Sequence, residues 1–365
     1  MLLRNQALTV LLGWLLPYCP AFAEADSTEI GRRLTVKTHL AFGTLQETAP
    51  GASRSPFGLE VEYGRVSTRR GAWEHGNCFS YVGAYASFYD FGHPKVLGRT
   101  VGAGLYYEPM LWHRPRTQVG VRLSAGMTYL NRVYNEQTNP LNRSFSMPVS
   151  FLIGAGLHFR QRLNDKWNLV LSGNYHHISN GGTRQPNRGL NVRTLSVGME
   201  YQWRRPVYPS TRQWRRAAPV ARWMNRAQVF TSVRVMPADD EHDERVFPVL
   251  GTAIYSGYHL TRQHALSAGL ELVDDRFFRE ELRRNQNPAD HKQATLLAGY
   301  EYWHGRFVLT AHMAWNFYRP RGYNFKLWQR YTLLYRFPSG LNLGAGIKAD
   351  GEVTKGFSAV AGWNF

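Results

Sequence analysis

Residues 167–179 read Trp167-Asn168-Leu169-Val170-Leu171-Ser172-Gly173-Asn174-Tyr175-His176-His177-Ile178-Ser179. Trp167, Leu169, Leu171, Gly173 and Tyr175 fall on one parity. Asn168, Ser172, Asn174 and His176 fall on the other, with Val170 the apolar exception. In an extended chain successive side chains point to opposite faces, so the stretch is a strand with one apolar and one polar face. It is longer than the roughly ten residues that a tilted membrane strand needs. An apolar-out, polar-in strand with an aromatic at its end is the pattern of a transmembrane β-barrel. A soluble β-sandwich would bury the same apolar face against a second sheet, so the rest of the chain has to decide.

The rest repeats the pattern. At the C-terminus Phe357, Ala359, Ala361, Trp363 and Phe365 alternate with Gly356, Ser358, Val360, Gly362 and Asn364. Period-two segments recur near 33–43, 56–67, 81–91, 96–112, 117–131, 147–162, 166–179 and 191–203. They continue near 222–236, 246–260, 264–274, 293–304, 306–318, 326–336, 341–349 and 355–365. No apolar run after residue 23 is long enough for a membrane helix. Charged residues are only 19% of the chain, below the roughly 25% of soluble domains, while aromatics reach 14% and Gly numbers 34. Disorder, coiled coil and disulfide scaffold are all excluded by this composition. The fold class is all-β: an antiparallel transmembrane β-barrel of about 14–16 strands, or two smaller 8-stranded barrels. The terminal Phe365 on an alternating strand resembles the signal read by the outer-membrane assembly machinery, which is therefore an expected partner.

Residues 1–23 read as a cleavable export signal: Arg4 supplies the charge, Leu11 to Leu16 lie in a short apolar core, and Ala21-Phe22-Ala23 is a small-x-small site. Cleavage at Ala23 leaves Cys78 alone, so no intramolecular disulfide can form. With the mature N-terminus in the periplasm, the outward connections include 44–55, 132–146, 180–190, 237–245 and 275–292, all long and polar. The inward ones include 113–116, 163–165, 261–263 and 337–340, all short, with 68–80 and 204–221 as exceptions. The second exception is a boundary. From Arg204 to Arg226 there are seven arginines and no acid, broken by Pro206, Pro209 and Pro219. The expected organisation is therefore a barrel half at 24–203, an Arg/Pro-rich linker at 204–221 and a second half at 222–365. A single large ring needs only one assembly event and is the expected arrangement.

The net charge of +18 at pH 7 comes without a Lys-rich tract or groove-entering helix, so nucleic acid is not the partner. In an outer membrane the anionic neighbours are lipids, above all lipopolysaccharide, whose phosphates suit arginine. His242, among the acids at 239–244, has no fixed ligand spacing, and neither a metal nor an organic cofactor is expected.

His177 and Ser179 lie two apart on one strand, about 7 Å apart at Cα, on the face that also carries Leu171 and Tyr175. Asn191 opens the next strand, on the face of Leu195, Val197 and Met199. Polar groups facing hydrocarbon are expensive and usually functional, and a hydroxyl with a nearby imidazole and an orienting third group is a nucleophile–base arrangement. The wider string, His177-Ile178-Ser179-Asn180-Gly181-Gly182 followed by Pro186-Asn187-Arg188-Gly189-Leu190-Asn191, resembles the PagL family of lipid A 3-O-deacylases over roughly residues 30–203. The resemblance implies an outer-membrane barrel that hydrolyses an acyl ester of lipid A. It implies Ser179 as nucleophile, His177 as general base, and an oxyanion hole around Gly182 and Asn187, with Asn180 a member of the motif. The acidic third residue of some members falls on Asn191 here, which can orient a histidine but supplies no charge; either activity is lower, or Glu136 or another loop acid contributes. A non-enzymatic channel, in which the second half is the main business, and an outer-membrane phospholipase are the alternatives.

Overall fold

The structure is a computed structural model that describes residues 29–42, 56–74, 76–211, 222–236, 242–288, 290–319, 326–350 and 353–365. The export signal at 1–23, linker residues 212–221 and the start of the acidic run at 237–241 lie outside the described residues. The first eight strands are β1 (Ile30–Phe42), β2 (Phe57–Ser67), β3 (Ser80–Asp90), β4 (Arg99–His113), β5 (Thr117–Leu130), β6 (Val149–Arg162), β7 (Trp167–Ser179) and β8 (Leu190–Arg204). The second eight are β9 (Trp223–Met236), β10 (Arg245–His259), β11 (His264–Asp275), β12 (Lys292–His304), β13 (Phe307–Tyr318), β14 (Leu327–Arg336), β15 (Leu341–Asp350) and β16 (Val353–Asn364). Two short helices, α1 (Arg70–Glu74) and α2 (Arg276–Arg284), sit in connections.

The strands close into two antiparallel barrels, β1–β8 and β9–β16. The single large ring favoured by economy of assembly is corrected to the alternative, two 8-stranded barrels. Closure is made by β1 against β8, with Leu34 opposite Tyr201 and Val36 opposite Met199, and by β16 against β9, with Ala361 opposite Val229. The physical reason lies inside. An eight-stranded barrel is just narrow enough for side chains from opposite walls to meet, and here they meet as ions. Arg33 of β1 and Arg160 of β6 pair with Glu108 of β4 and Glu200 of β8, with Arg33–Glu108 at 2.9 Å and Arg160–Glu200 at 2.7 Å. Lys37 and Arg122 share Glu60 and Glu62, at 2.9 Å for Lys37–Glu60 and 2.7 Å for Arg122–Glu60. All eight groups are buried, and their charges balance. Buried ions are tolerable only when paired and hydrogen-bonded, and a ring of sixteen would hold these walls too far apart to pair. In the second barrel Arg226–Glu301 at 2.6 Å and Arg330–Glu271 at 2.8 Å do the same, beside Trp303, Trp328 and Tyr255. Both lumens are thus filled by side chains, which removes the aqueous lumen on which the channel alternative rested.

The outer walls invert the pattern. Leu40, Leu105, Leu171, Leu195, Ile254, Leu266 and Leu333 are exposed, a continuous apolar surface that is at rest only in hydrocarbon. At one rim Trp167 packs edge-on to Tyr201, and Tyr201 to Trp203, part of an interfacial aromatic girdle. That rim carries the short turns, including 114–116, 163–166 and 337–340. The opposite rim carries the long ones, including 131–148, 180–189 and the segment with α2. The helix begins where the Asp275 carboxylate accepts from Phe278 N at 3.1 Å, an N-cap, and ends on Arg283 and Arg284, which complement its dipole.

Candidate active site

On β7 the lumen face is Asn168, Val170, Ser172, Asn174 and His176, all buried, and His176 accepts or donates a 3.3 Å hydrogen bond with Tyr89 OH inside the barrel. His177 is on the opposite parity, at the long-loop rim of the membrane-facing wall. Its cross-strand neighbours are Ile153 on β6 and Asn191 on β8. The register delivers what the sequence spacing suggested: His177 Nδ1 and Asn191 Oδ1 are 2.6 Å apart. Since the amide oxygen only accepts, Nδ1 carries the proton and Nε2 is left as the basic nitrogen. Nε2 is buried and has no hydrogen-bond partner.

Ser179 ends β7 and is 5% exposed. Its hydroxyl accepts two hydrogen bonds, from Gly181 N at 3.1 Å and from Asn187 Nδ2 at 2.9 Å. It is not bonded to His177 in this arrangement. The donor expected at Gly182 is engaged elsewhere: Gly182 N donates to Asn180 Oδ1 at 2.9 Å, and the N–H one residue earlier reaches the serine. Gly181 has φ +73°, a left-handed backbone that glycine adopts without strain. Asn180 is wholly occupied in shaping the loop, its amide donating to Ser146 Oγ at 3.0 Å and to Arg184 O at 2.8 Å. Asn187 Oδ1 accepts from Asn180 N at 3.3 Å, which aims the other end of the same amide at Ser179.

One contributor lies outside the motif. The 131–148 loop braces the 180–189 loop: Ser146 Oγ donates to Arg184 O at 2.9 Å, Arg188 N to Arg143 O at 3.0 Å and Gly189 N to Ser144 O at 3.2 Å. Gly189, at φ +67°, lies close to the imidazole, and a Cβ there would stand 3.0 Å from His177 Cε1. Glu136, one loop acid considered in place of a carboxylate, is exposed in the 131–148 loop, and Asn191 fills the position beside Nδ1. Among the described residues no group of three or more His, Cys, Asp or Glu side chains could hold a metal ion.

Residues 60–200 match the family model described as lipid A 3-O-deacylase (PagL), and residues 225–365 match the model described as acyloxyacyl hydrolase, C-terminal domain. The chain belongs to the PagL family. The second model covers the second barrel, for which the His177–Asn191 motif offers no counterpart. No curated protein matches the chain. Among solved structures, this PagL-family chain is similar to a deletion mutant of the TodX monoaromatic hydrocarbon channel (7% identity, 93% of this chain and 89% of that one, TM-score 0.20). It is also similar to the unliganded ferric citrate transporter FecA (10%, 94% and 80%, 0.22) and to Omp33 of Acinetobacter baumannii (8%, 93% and 100%, 0.18). The PagL-family protein is a two-barrel protein of the bacterial outer membrane, and its family domains are those of a lipid A-directed hydrolase.

Proposed function

We propose that this protein is a serine esterase that removes one acyl chain of lipid A at the membrane surface, using Ser179, His177 and Asn191. The observation that carries the reading is the Ser179 hydroxyl, held by two N–H donors on the hydrocarbon-facing wall beside an imidazole whose Nδ1 is fixed by Asn191. In the resting site the hydroxyl itself occupies the donor pair. On attack, Oγ leaves Gly181 N and Asn187 Nδ2 and gives its proton to His177 Nε2. The two donors are then free for the carbonyl oxygen as it becomes an oxyanion, which is where fixed dipoles contribute most to rate. Collapse breaks the ester C–O bond, and His177 returns the proton to the departing sugar oxygen. Water, drawn to the rim and deprotonated by the same imidazole, then attacks the acyl-enzyme and releases the fatty acid and free Ser179.

The surroundings suit the substrate. A Cβ built on Gly182 meets nothing within 4 Å, so the loop is open beside the donors. Between Asn180 and Met199 the chain carries Arg184, Arg188 and Arg193 and no carboxylate, a setting for an anionic phosphorylated headgroup. Purified protein incubated with lipid A in detergent should yield a product lighter by one acyl chain in mass spectrometry, and Ser179→Ala should not. Fatty acid released from phosphatidylethanolamine, with lipid A untouched, would make the protein a phospholipase instead.

A further inference from the structure

The second barrel reaches the catalytic serine of the first. Ser179 faces Phe151 across the β6–β7 pair. The Phe151 ring is stacked with Phe357 of β16, in the other barrel, with centroids 6.2 Å apart and planes inclined by 30°. Gly181, whose N–H is a donor to Ser179, lies against the same two rings. A Cβ placed there would be 3.4 Å from Phe357 Cδ2 and 3.6 Å from Phe151 Cε2. The contact is not confined to this rim. At the short-turn rim Asn77 Nδ2 donates to Gln263 Oε1 at 2.8 Å, and Tyr107 OH meets His304 Nδ1 at 3.1 Å.

We infer that β9–β16 completes the active site of β1–β8, with Phe357 and Phe151 forming the wall along which the acyl chain of the scissile ester lies. The inference rests on the deacylase reading above. A reacting carbonyl has to sit about 3–3.5 Å from Ser179 Oγ, and that fixes where its chain begins. The chain has three ways to go. The lumen behind Ser179 is already filled by buried side chains, among them Ile178, Leu152 and Leu190, and the loop side is lined by arginines and asparagines. The apolar wall starts at Phe151 and Phe357, and two rigid rings offer apolar contact with little side-chain entropy to lose. A two-barrel enzyme then selects its acyl chain with a residue that the single barrel does not possess.

The test is a chain-length profile. The ratio of kcat/KM for p-nitrophenyl palmitate to that for p-nitrophenyl butyrate is measured for wild type, Phe357→Ala, Phe357→Leu and Phe151→Ala. All are first checked for the heat-modifiable band of a folded barrel. Methylene discrimination in apolar sites is worth about tenfold or more. The palmitate-to-butyrate ratio should therefore fall about tenfold in Phe357→Ala and in Phe151→Ala, and less in Phe357→Leu. A ratio equal to wild type in the folded variants, whatever the absolute rates, overturns the inference; if Phe357→Ala does not fold, the leucine and Phe151 variants decide. A wild type inert on lipid A and on both esters is a different failure, since it brings down the deacylase reading itself.

Discussion

Ser267 and His312 of the second barrel are better hydrogen-bonded to each other than Ser179 and His177 of the first, yet the proposed chemistry belongs to the latter. In the second barrel Ser267 Oγ donates to Glu301 Oε1 at 2.7 Å and lies 2.8 Å from His312 Nε2. Serine, imidazole and carboxylate are all present there. In the first barrel Ser179 and His177 share no hydrogen bond and the third member is an amide. The difference is which side of the wall they occupy. Ser267, His312 and Glu301 are buried in the lumen, with Glu301 already tied to Arg226 and to Trp303 Nε1 and the His312 ring against Tyr255. Every strong contact there is spent on holding the barrel. Both imidazoles keep a nitrogen with no partner, but that of His177 is on the outer wall and that of His312 in the lumen, and Ser179 keeps a hydroxyl that can be released from its donors. An unmade bond is a defect in a core and a requirement in an active site.

The sharpest way to break this comparison is to remove each imidazole in turn. His177→Ala should lower lipid A deacylation by about 10⁶-fold, the scale of losing the catalytic histidine in a serine hydrolase. His312→Ala should deacylate as wild type does. Deacylation rates of the two purified variants on the same lipid A sample settle it, and a comparable loss in His312→Ala would move the chemistry into the lumen.

The strands were legible because alternation is local. All sixteen occur within three residues of the positions that periodicity gives, and even the lumen-facing exception Val170 is buried where parity puts it. The closure was not legible, because a strand alternates identically whichever neighbour it takes. Whether β8 pairs with β1 or with β9 depends on Arg33, Glu108, Arg160 and Glu200 meeting across a lumen, and these come from four strands far apart in sequence. The site divides in the same way. His177, Ser179 and Asn191 follow from strand parity and a short motif, while Gly181 as donor depends on a left-handed turn. The bracing by Ser144 and Ser146, and the presence of Phe357, come through tertiary contacts that no spacing encodes. The helix α2 falls where a plain polar loop was expected, its Asp275 cap lying at the end of a strand.

A smaller effect separates the two third members. Glu301 is a carboxylate serving an ion pair, whereas Asn191 is a neutral acceptor serving an imidazole. Asn191→Asp keeps the shape that gives the 2.6 Å contact and adds a charge that stabilises the imidazolium formed during acylation. Activity at alkaline pH should be at least that of wild type. The general base must be unprotonated to act, and a neighbouring anion favours its protonated form. The acid limb of the kcat/KM profile should therefore move to higher pH. A folded Asn191→Asp protein with an unshifted acid limb would mean that this side chain does not act on the histidine.

The smallest expected effect is on stability, and it runs opposite to that on activity. Ser267→Ala removes one hydroxyl from the second lumen. Glu301 loses one donor but keeps both nitrogens of Arg226, at 2.6 and 3.2 Å, and Trp303 Nε1 at 3.1 Å, so its charge stays neutralised. His312 is worse placed. Its Nδ1 has no hydrogen-bond partner already, and with Ser267 gone Nε2 loses the one it has. A buried polar group left unsatisfied costs about 1–3 kcal/mol, and a hydroxyl-sized gap in a packed lumen gives little room to relax. Ser267→Ala should therefore unfold at lower urea, by about 1–2 kcal/mol in free energy, with deacylation unchanged. Ser179→Ala should do the reverse. The donors it orphans, Gly181 N and Asn187 Nδ2, sit in a loop that water can enter beside Gly182, so its unfolding midpoint should stay close to wild type while activity is lost. Should Ser267→Ala reduce deacylation without shifting the urea midpoint, the second lumen would have to be read as part of the catalytic machinery rather than as its support.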